Sequence, residues 1–130
     1  MLKALKVTMI VWGIIGILFS LGYIFVPTQF GDMFGYEKGP EYVYHMLASL
    51  GGCFIAGSVF VIAAARDPLR NISWVKFAIL FSLIGLVMGL YSVIRGYVDF
   101  AQAGLGIILY ALFAAAFLVF YPWRATSHTD

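Results

Sequence analysis

The sequence predicts an all-α membrane protein, a left-handed bundle of four transmembrane helices that run up, down, up and down. Three observations support this fold class. Hydrophobic residues make up 63% of the 130-residue chain and charged residues 11%, whereas soluble domains contain about 45–50% and about 25%. The charges separate four long uncharged stretches, and the basic residues concentrate at one end of these stretches. The chain therefore has too few polar residues to cover a surface that faces water.

The uncharged stretches contain 25, 24, 18 and 24 residues, and a helix that crosses the hydrocarbon core of a membrane needs about 20. We therefore predict four spans in a single domain, residues 1–130. Strands of a barrel are excluded, because the stretches lack period-two alternation and four strands cannot close a barrel. The predicted spans are 7–26, 44–65, 75–94 and 101–121.

The connection between the first two spans is predicted to contain a short helix that lies in the outer membrane interface. Phe30, Met33 and Phe34 have the spacing of one apolar helical face. Gly35 follows them and is the residue type that ends such a turn. The helix would lie across the outer end of the bundle.

The distribution of basic residues predicts that both termini are cytoplasmic, because cytoplasmic loops carry an excess of Lys and Arg. The other side of the membrane would hold only Lys38 and Arg95. Six of the eight basic residues fall on the side of the termini, namely Lys3, Lys6, Arg66, Arg70, Lys76 and Arg124.

Small residues form a stripe along each span, at alternating steps of three and four. Such stripes allow close helix contact where lipid provides no hydrophobic drive for association. Gly85 and Gly89 also form a GxxxG motif, which can mediate dimerisation, although packing within one chain is the preferred interpretation. The predicted packing residues are Gly13, Gly16 and Ser20, then Ser49, Gly52 and Ala56, then Ser82, Gly85 and Gly89, and finally Gly104, Ala111 and Ala115.

Polar side chains at the predicted outer end of the bundle are the candidate ligand-binding residues. His45 is the ionisable residue inside a span, and such residues often have a function. The alternative is structural, with His45 bonded to Glu41 or a tyrosine and Arg95 paired with Asp99. The candidate set is Tyr23, His45, Tyr91, Arg95, Asp99 and Gln102.

Several classes of function have no support in the sequence. Haem between two histidines would need a second histidine at membrane depth, and no clear metal-ligand set occurs. The nucleotide-binding and nucleophile-elbow motifs are missing. A net charge of +2 without a basic stripe argues against nucleic-acid binding. We therefore predict no catalytic residue, no metal and no resident cofactor, with a quinone or a lipid as the alternative ligand.

The chain resembles the DoxX-like group of small four-helix bacterial membrane proteins in length, in its four spans, in the glycine-rich first span ending at Pro27, and in the aromatic loop 30–36. The resemblance implies the bacterial inner membrane. It also implies association with a redox complex or a quinone, because the name-giving kind is a membrane subunit of a quinone-reducing oxidoreductase. No catalytic residue of the group is found in this sequence.

The preferred functional interpretation is a non-catalytic membrane protein that acts through helix contacts. It would be an accessory or assembly subunit of a larger membrane complex, or a homo-oligomer, with lipids, other subunits or itself as partners. The alternative is a binder or carrier of a small apolar ligand, a quinone or a lipid, in a pocket at the outer end of the bundle. A membrane enzyme ranks third.

Overall fold

The computed structural model describes residues 2–122, which form five α-helices and no strand. Four of the helices are long and apolar enough to cross a membrane. The all-helical class and the four long apolar helices of the prediction are therefore confirmed. The helices in chain order are α1 (Leu2–Phe25), α2 (Pro27–Met33), α3 (Glu41–Ala64), α4 (Ile72–Ile94) and α5 (Phe100–Phe120).

Two glycines end helices at the same end of the molecule. Gly35 follows α2 and Gly96 follows α4, and both have φ of 78°, a left-handed conformation that a Cβ disfavours. The residue after each glycine donates its backbone N–H to the carbonyl five residues earlier, at 3.0 Å in both cases, as in a Schellman motif. The structure has a short helix before Gly35, as predicted, and its position in the outer membrane interface stays a prediction. We call this end of the bundle the α2 end and the opposite end the N-terminal end.

Helix α1 packs closely against α3 because glycines remove side chains from their contact. A Cβ added at Gly16 would lie 2.5 Å from Ser58 Oγ, and one added at Gly51 would lie 3.0 Å from the carbonyl oxygen of Ser20. Residue numbers rise along α1 as they fall along α3 at these contacts. We call these two helices the α1–α3 pair.

Helix α4 packs against α5 in the same manner. A Cβ at Gly85 would lie 2.5 Å from the ring of Tyr110, and one at Gly89 would lie 2.8 Å from Ile107. Residue numbers again run in opposite directions along the two helices. We call them the α4–α5 pair.

The two pairs meet at the N-terminal end, where a buried apolar cluster joins all four long helices. The rings of Trp12 and Phe81 meet edge to face at 5.5 Å, and those of Phe60 and Trp74 stack at 5.0 Å. Aromatic contacts therefore connect the pairs here. The buried members of the cluster are Leu5, Met9, Trp12, Val61, Ala64, Ala65, Val75, Ala78, Phe117 and Tyr121.

Only a small share of each long helix is fully buried. The buried share of the most apolar 18-residue window is 28% in α1, 22% in α3, 11% in α4 and 22% in α5. A continuous apolar surface of this size is unfavourable in water, and it suits contact with membrane lipid. A soluble protein would have placed polar residues on these faces.

The predicted packing residues of α1 and α4 lie at helix contacts, but those of α3 do not. Gly51 and Ser58 face α1, whereas Ser49, Gly52 and Ala56 are exposed on the other side of α3. Adjacent residues of a helix point about 100° apart, so a shift of one residue moves the whole stripe. The sequence offers glycine at both 51 and 52, and its spacing does not decide between them. On α5, Gly104 is buried, Ala111 is half-buried and Ala115 is exposed.

Candidate ligand-binding site

A cleft separates the α1–α3 pair from the α4–α5 pair over the half of the bundle next to α2. Its larger section has a volume of about 550 Å³ and lies at the α2 end. A smaller section of about 120 Å³ continues toward the N-terminal end. The two sections share the lining residues Phe19, Tyr23, Gly106 and Tyr110. We call the whole space the inter-pair cleft.

The smaller section is an uncharged aromatic chamber. The rings of Phe54 and Phe81 meet edge to face at 5.1 Å, and Phe81 also lies 6.3 Å from the ring of Tyr110. Ser58, which is 1% exposed, supplies a hydroxyl to this lining. The chamber is suited to an apolar ring or chain, because its walls offer dispersion and ring contacts. Its aromatic lining consists of Trp12, Phe19, Tyr23, Phe54, Phe77, Phe81, Tyr110 and Phe113.

The larger section adds tyrosine side chains from three helices and a loop. Tyr23 of α1, Tyr44 of α3, Tyr110 of α5 and Tyr36 of the loop before α3 all line it. Burial raises the pKa of Tyr36 above its ordinary value of 10.0, so this phenol is neutral at pH 7. A neutral phenol both donates and accepts hydrogen bonds.

Tyr44 differs from the other phenols of the cleft, because its hydroxyl is buried and has no hydrogen-bond partner among the described residues. A buried polar group without a partner costs about 1–3 kcal/mol. Native proteins keep few such groups, and each one calls for an explanation. The hydroxyl is enclosed by protein atoms, so other atoms of Tyr44 form its part of the cleft lining.

Two residues of the predicted ligand-binding set, Gln102 and Asp99, connect helix α5 to the loop after α2. Gln102 donates from Nε2 to the carbonyl of Gly35 at 2.8 Å, and its Oε1 accepts from the backbone N–H of Asp99 at 2.9 Å. The Asp99 carboxylate in turn accepts the backbone N–H of Gln102, which completes a capping box at the start of α5. These bonds hold the loop beside the larger section, which Gln102 also lines.

The structure brings together two of the six residues predicted to bind ligand. Tyr23 and Gln102 line the inter-pair cleft. His45, Tyr91, Arg95 and Asp99 are exposed and lie outside its lining. The Arg95 guanidinium lies 5.9 Å from the centroid of the Tyr97 ring. On α3, Tyr44 lines the cleft, and His45, the next residue, does not.

Several lining residues were not part of the sequence prediction, which searched for polar side chains. Phe54, Phe77 and Phe81 come from two helices, and Tyr36 of the loop, Tyr44 and Tyr110 are the missed phenols. The aromatic content of 18% was a signal for them. Because they belong to helices that meet only in the folded chain, no local spacing identifies them.

The described residues, 2–122, form an all-helical protein with an aromatic cleft between two helix pairs. Its four long apolar helices are compatible with a multi-pass membrane protein. No family model, curated protein or solved structure matches the sequence. Among the described residues, no group of three His, Cys, Asp or Glu side chains could hold a metal ion.

Proposed function

We propose that this protein is an integral membrane protein that binds or carries a small apolar ligand, such as a quinone or a lipid, in the inter-pair cleft. The observation that carries the proposal is the cleft itself. Its larger section of about 550 Å³ lies within the size range of about 300–1,000 Å³ for small-molecule sites. Such sites are mostly apolar with a few polar groups, and this cleft combines an aromatic chamber with phenols.

In the proposed orientation the long helices cross the membrane up, down, up and down, with α2 in the outer interface and both termini in the cytoplasm. The concentration of Lys and Arg at the N-terminal end supports it, as do the opposed directions of contacting residues within each pair. Arg124, one of these basic residues, lies outside the described residues. The resemblance to the DoxX-like group supports the bacterial inner membrane.

Helix α2 contributes to the site by covering one side of the cleft. A Cβ added at Gly22 would lie 2.6 Å from the Phe30 ring, so this glycine lets α2 lie close to α1. Phe30 also meets Phe19 at 5.4 Å and Tyr23 at 5.3 Å, both edge to face. The aromatic wall of the cleft therefore continues from α1 onto α2.

Filling the cleft tests the proposal. Gly106 lines both sections, and a Cβ at this position meets no atom within 4 Å. We therefore expect the fold to accept Gly106→Leu, with the leucine side chain extending into the space proposed for the ligand. We expect the amount of co-purifying apolar ligand to fall at least about tenfold, a change of about 1.4 kcal/mol in binding. Mass spectrometry of organic extracts from gently purified protein measures it.

Gly52→Leu is the matched control for this experiment. Gly52 is also a helical glycine with open space around a Cβ, but it faces outward from α3 and does not line the cleft. This variant should keep the ligand complement of the wild type. The proposal is wrong if the wild type carries no apolar ligand, or if Gly106→Leu keeps it in the wild-type amount.

A second function is favoured by the outward face of α3. Ser49, Gly52 and Ala56 form an exposed stripe there, and the long helices bury only a small share of their residues. Because small residues let another helix approach closely, we propose that the chain also acts through helix contacts. It would be a homo-oligomer, or an accessory subunit of a larger membrane complex such as the redox complex that the resemblance implies.

Blue-native electrophoresis after gentle extraction tests this second function. The wild type and Gly106→Leu should migrate as an assembly larger than one chain, whereas Gly52→Leu should migrate as a monomer because its side chain blocks close approach. A wild-type protein that is monomeric in a series of mild detergents would contradict the helix-contact function. It would leave ligand binding untouched.

A further inference from the structure

We propose that the ligand of the inter-pair cleft is an uncharged molecule dissolved in the membrane, which enters the cleft sideways between α3 and α4. The inference rests on the proposed binding function, because it names the source of the ligand and its route to the same site. Three features carry it: the divergence of α3 and α4 toward the α2 end, the bridging of the opposite side of the cleft by α2, and the uncharged inner section.

Helices α3 and α4 are in contact in the half of the bundle next to the N-terminal end. A Cβ added at Gly57 would lie 3.1 Å from the ring of Phe77. The rings of Phe54 and Phe81, which meet at 5.1 Å, lie about one turn farther toward the α2 end. Among the described residues, no hydrogen bond or ring contact joins the two helices beyond this point.

The same two helix faces are exposed nearer the α2 end, so the helices diverge there. Leu50 lies seven residues before Gly57 on α3. Ile84 lies seven residues after Phe77 on α4, and seven residues make about two turns, which returns each position to the face of the contact. Leu50 is nevertheless 43% exposed and Ile84 52%. Farther on, Met88 is exposed and also lines the larger section. The cleft therefore reaches the surface of the bundle here, at what we call the α3–α4 opening.

The opposite side of the cleft, between α1 and α5, is bridged by α2 and the loop after it. Phe30 of α2 packs against Phe19 and Tyr23 of α1. The carbonyl of Gly35, in the loop after α2, accepts a hydrogen bond from Gln102 of α5. The described residues form no such bridge between α3 and α4 at this end, which leaves the α3–α4 opening as the route for a ligand.

The chemistry of this route favours an uncharged ligand that comes from lipid. Leu50 and Ile84 on its rim are apolar, and none of the residues around the smaller section carries a charge. Cys53 is exposed and lines that section, near the middle of α3, so in the proposed topology the opening lies within the hydrocarbon layer. A charge is strongly disfavoured there. The charged residues of the lining all lie at the α2 end, namely Asp32, Glu37 and Lys38.

Narrowing the opening tests the inference. Leu50→Trp combined with Ile84→Trp places two large rings on the rim, and neither residue lines the cleft. The full chain is studied in phosphatidylcholine nanodiscs with 1-fluoropyrene, and fluorine NMR at equilibrium gives the bound fraction of this probe and its rate of exchange with lipid. We expect the exchange rate to fall at least about tenfold, a rise of about 1.4 kcal/mol in the barrier. The bound fraction should equal that of the wild type, because the cleft itself is unchanged.

Val59→Trp combined with Leu90→Trp is the matched control. Both residues are exposed and do not line the cleft. They point about 140–160° away from the faces of Gly57 and Phe77, so this variant should exchange the probe at the wild-type rate.

Leu50→Ala combined with Ile84→Ala makes the opposite change and does not depend on how well the fold accepts tryptophan. It widens the rim, so the exchange rate should rise above that of the wild type. A rate that is unchanged or lower in this variant would contradict the lateral route.

The outcomes separate this inference from the function on which it rests. A bound signal whose exchange rate is the same in the wild type and in the variant with tryptophan at 50 and 84 overturns the lateral route and keeps the binding function. Equal slowing in the control variant, or tighter binding of the water-soluble anion 1-pyrenesulfonate than of 1-fluoropyrene, also overturns it. If the wild type shows no bound signal above that of Gly106→Leu, both the inference and the binding function are wrong.

Discussion

Replacing Gly51 with leucine is expected to lower the free energy of unfolding by about 1–3 kcal/mol, the usual range for overpacking. A Cβ at this position would lie 3.0 Å from the carbonyl oxygen of Ser20 and 3.0 Å from Ile24. The carbonyl belongs to the backbone of α1 and cannot rotate away as a side chain can. The α1–α3 pair must therefore separate to accommodate the leucine.

Gly52→Leu is the control for the change at Gly51, since it makes the same substitution one residue later. Leucine is the better helix former in both cases, by up to about 1 kcal/mol, and this contribution cancels in the comparison. We expect Gly52→Leu to be as stable as the wild type or slightly more stable. Unfolding of each protein as a monomer in mixed micelles by dodecyl sulfate, followed by circular dichroism, gives both values without a contribution from any assembly. Equal stability of the two variants would contradict the close α1–α3 contact.

The second large effect is expected at the N-terminal end, where Phe117→Ala should lower the free energy of unfolding by about 2–4 kcal/mol. Phe117 is fully buried, and its ring lies 6.4 Å from those of Trp12 and Phe113. In soluble cores Phe→Ala costs about 3–5 kcal/mol. Part of this cost in soluble proteins is the lost free energy of transferring the side chain from water to the core. Lipid is as apolar as the core, so that part is absent here and the cost of lost packing remains.

Phe25→Ala makes the same chemical change at a side chain that is 73% exposed. Lipid or detergent already surrounds that ring, so we expect the free energy of unfolding to stay within about 0.5 kcal/mol of the wild type. The same micelle titration measures both variants. If Phe25→Ala destabilises the protein as much as Phe117→Ala, the cluster at the N-terminal end does not hold the two pairs together.

The number and type of helices could be predicted from the sequence because charge is costly in lipid. The charged residues therefore lie near the ends of the long apolar helices, as Glu41 and Arg66 do for α3. The short helix before Gly35 was also predictable, since its apolar spacing and its terminal glycine are local signals. In each case one segment of the chain carries the whole signal.

The rotation of the helices could not be predicted. All four long helices are apolar on every side, so no polar face indicates which residues point inward. The choice between Gly51 and Gly52 depends on the shape of α1, which the local pattern of α3 does not contain. The same one-residue uncertainty in helix rotation led to the choice of His45 for the predicted site. In the structure the preceding residue, Tyr44, lines the cleft and His45 is exposed.

The aromatic lining of the cleft could not be predicted for a related reason. Polar residues such as Arg95 and Asp99 attract notice in an apolar chain, but they lie at helix ends, where they contact solvent or cap a helix. The cleft is lined mainly by aromatic side chains, such as Phe54 and Phe81, that are common throughout the sequence. Only the arrangement of the two pairs shows which of these rings face an open space.

The pairing of the helices has a consequence for how the chain is made. Each close pair joins spans that follow one another in the sequence, so α1 and α3 can associate as soon as both have left the ribosome and entered the bilayer. The second pair can form in the same way without the first. In the proposed topology, docking of the two pairs would be the last step of assembly, and a defect in the aromatic contacts around Trp12 would be expected to block that step.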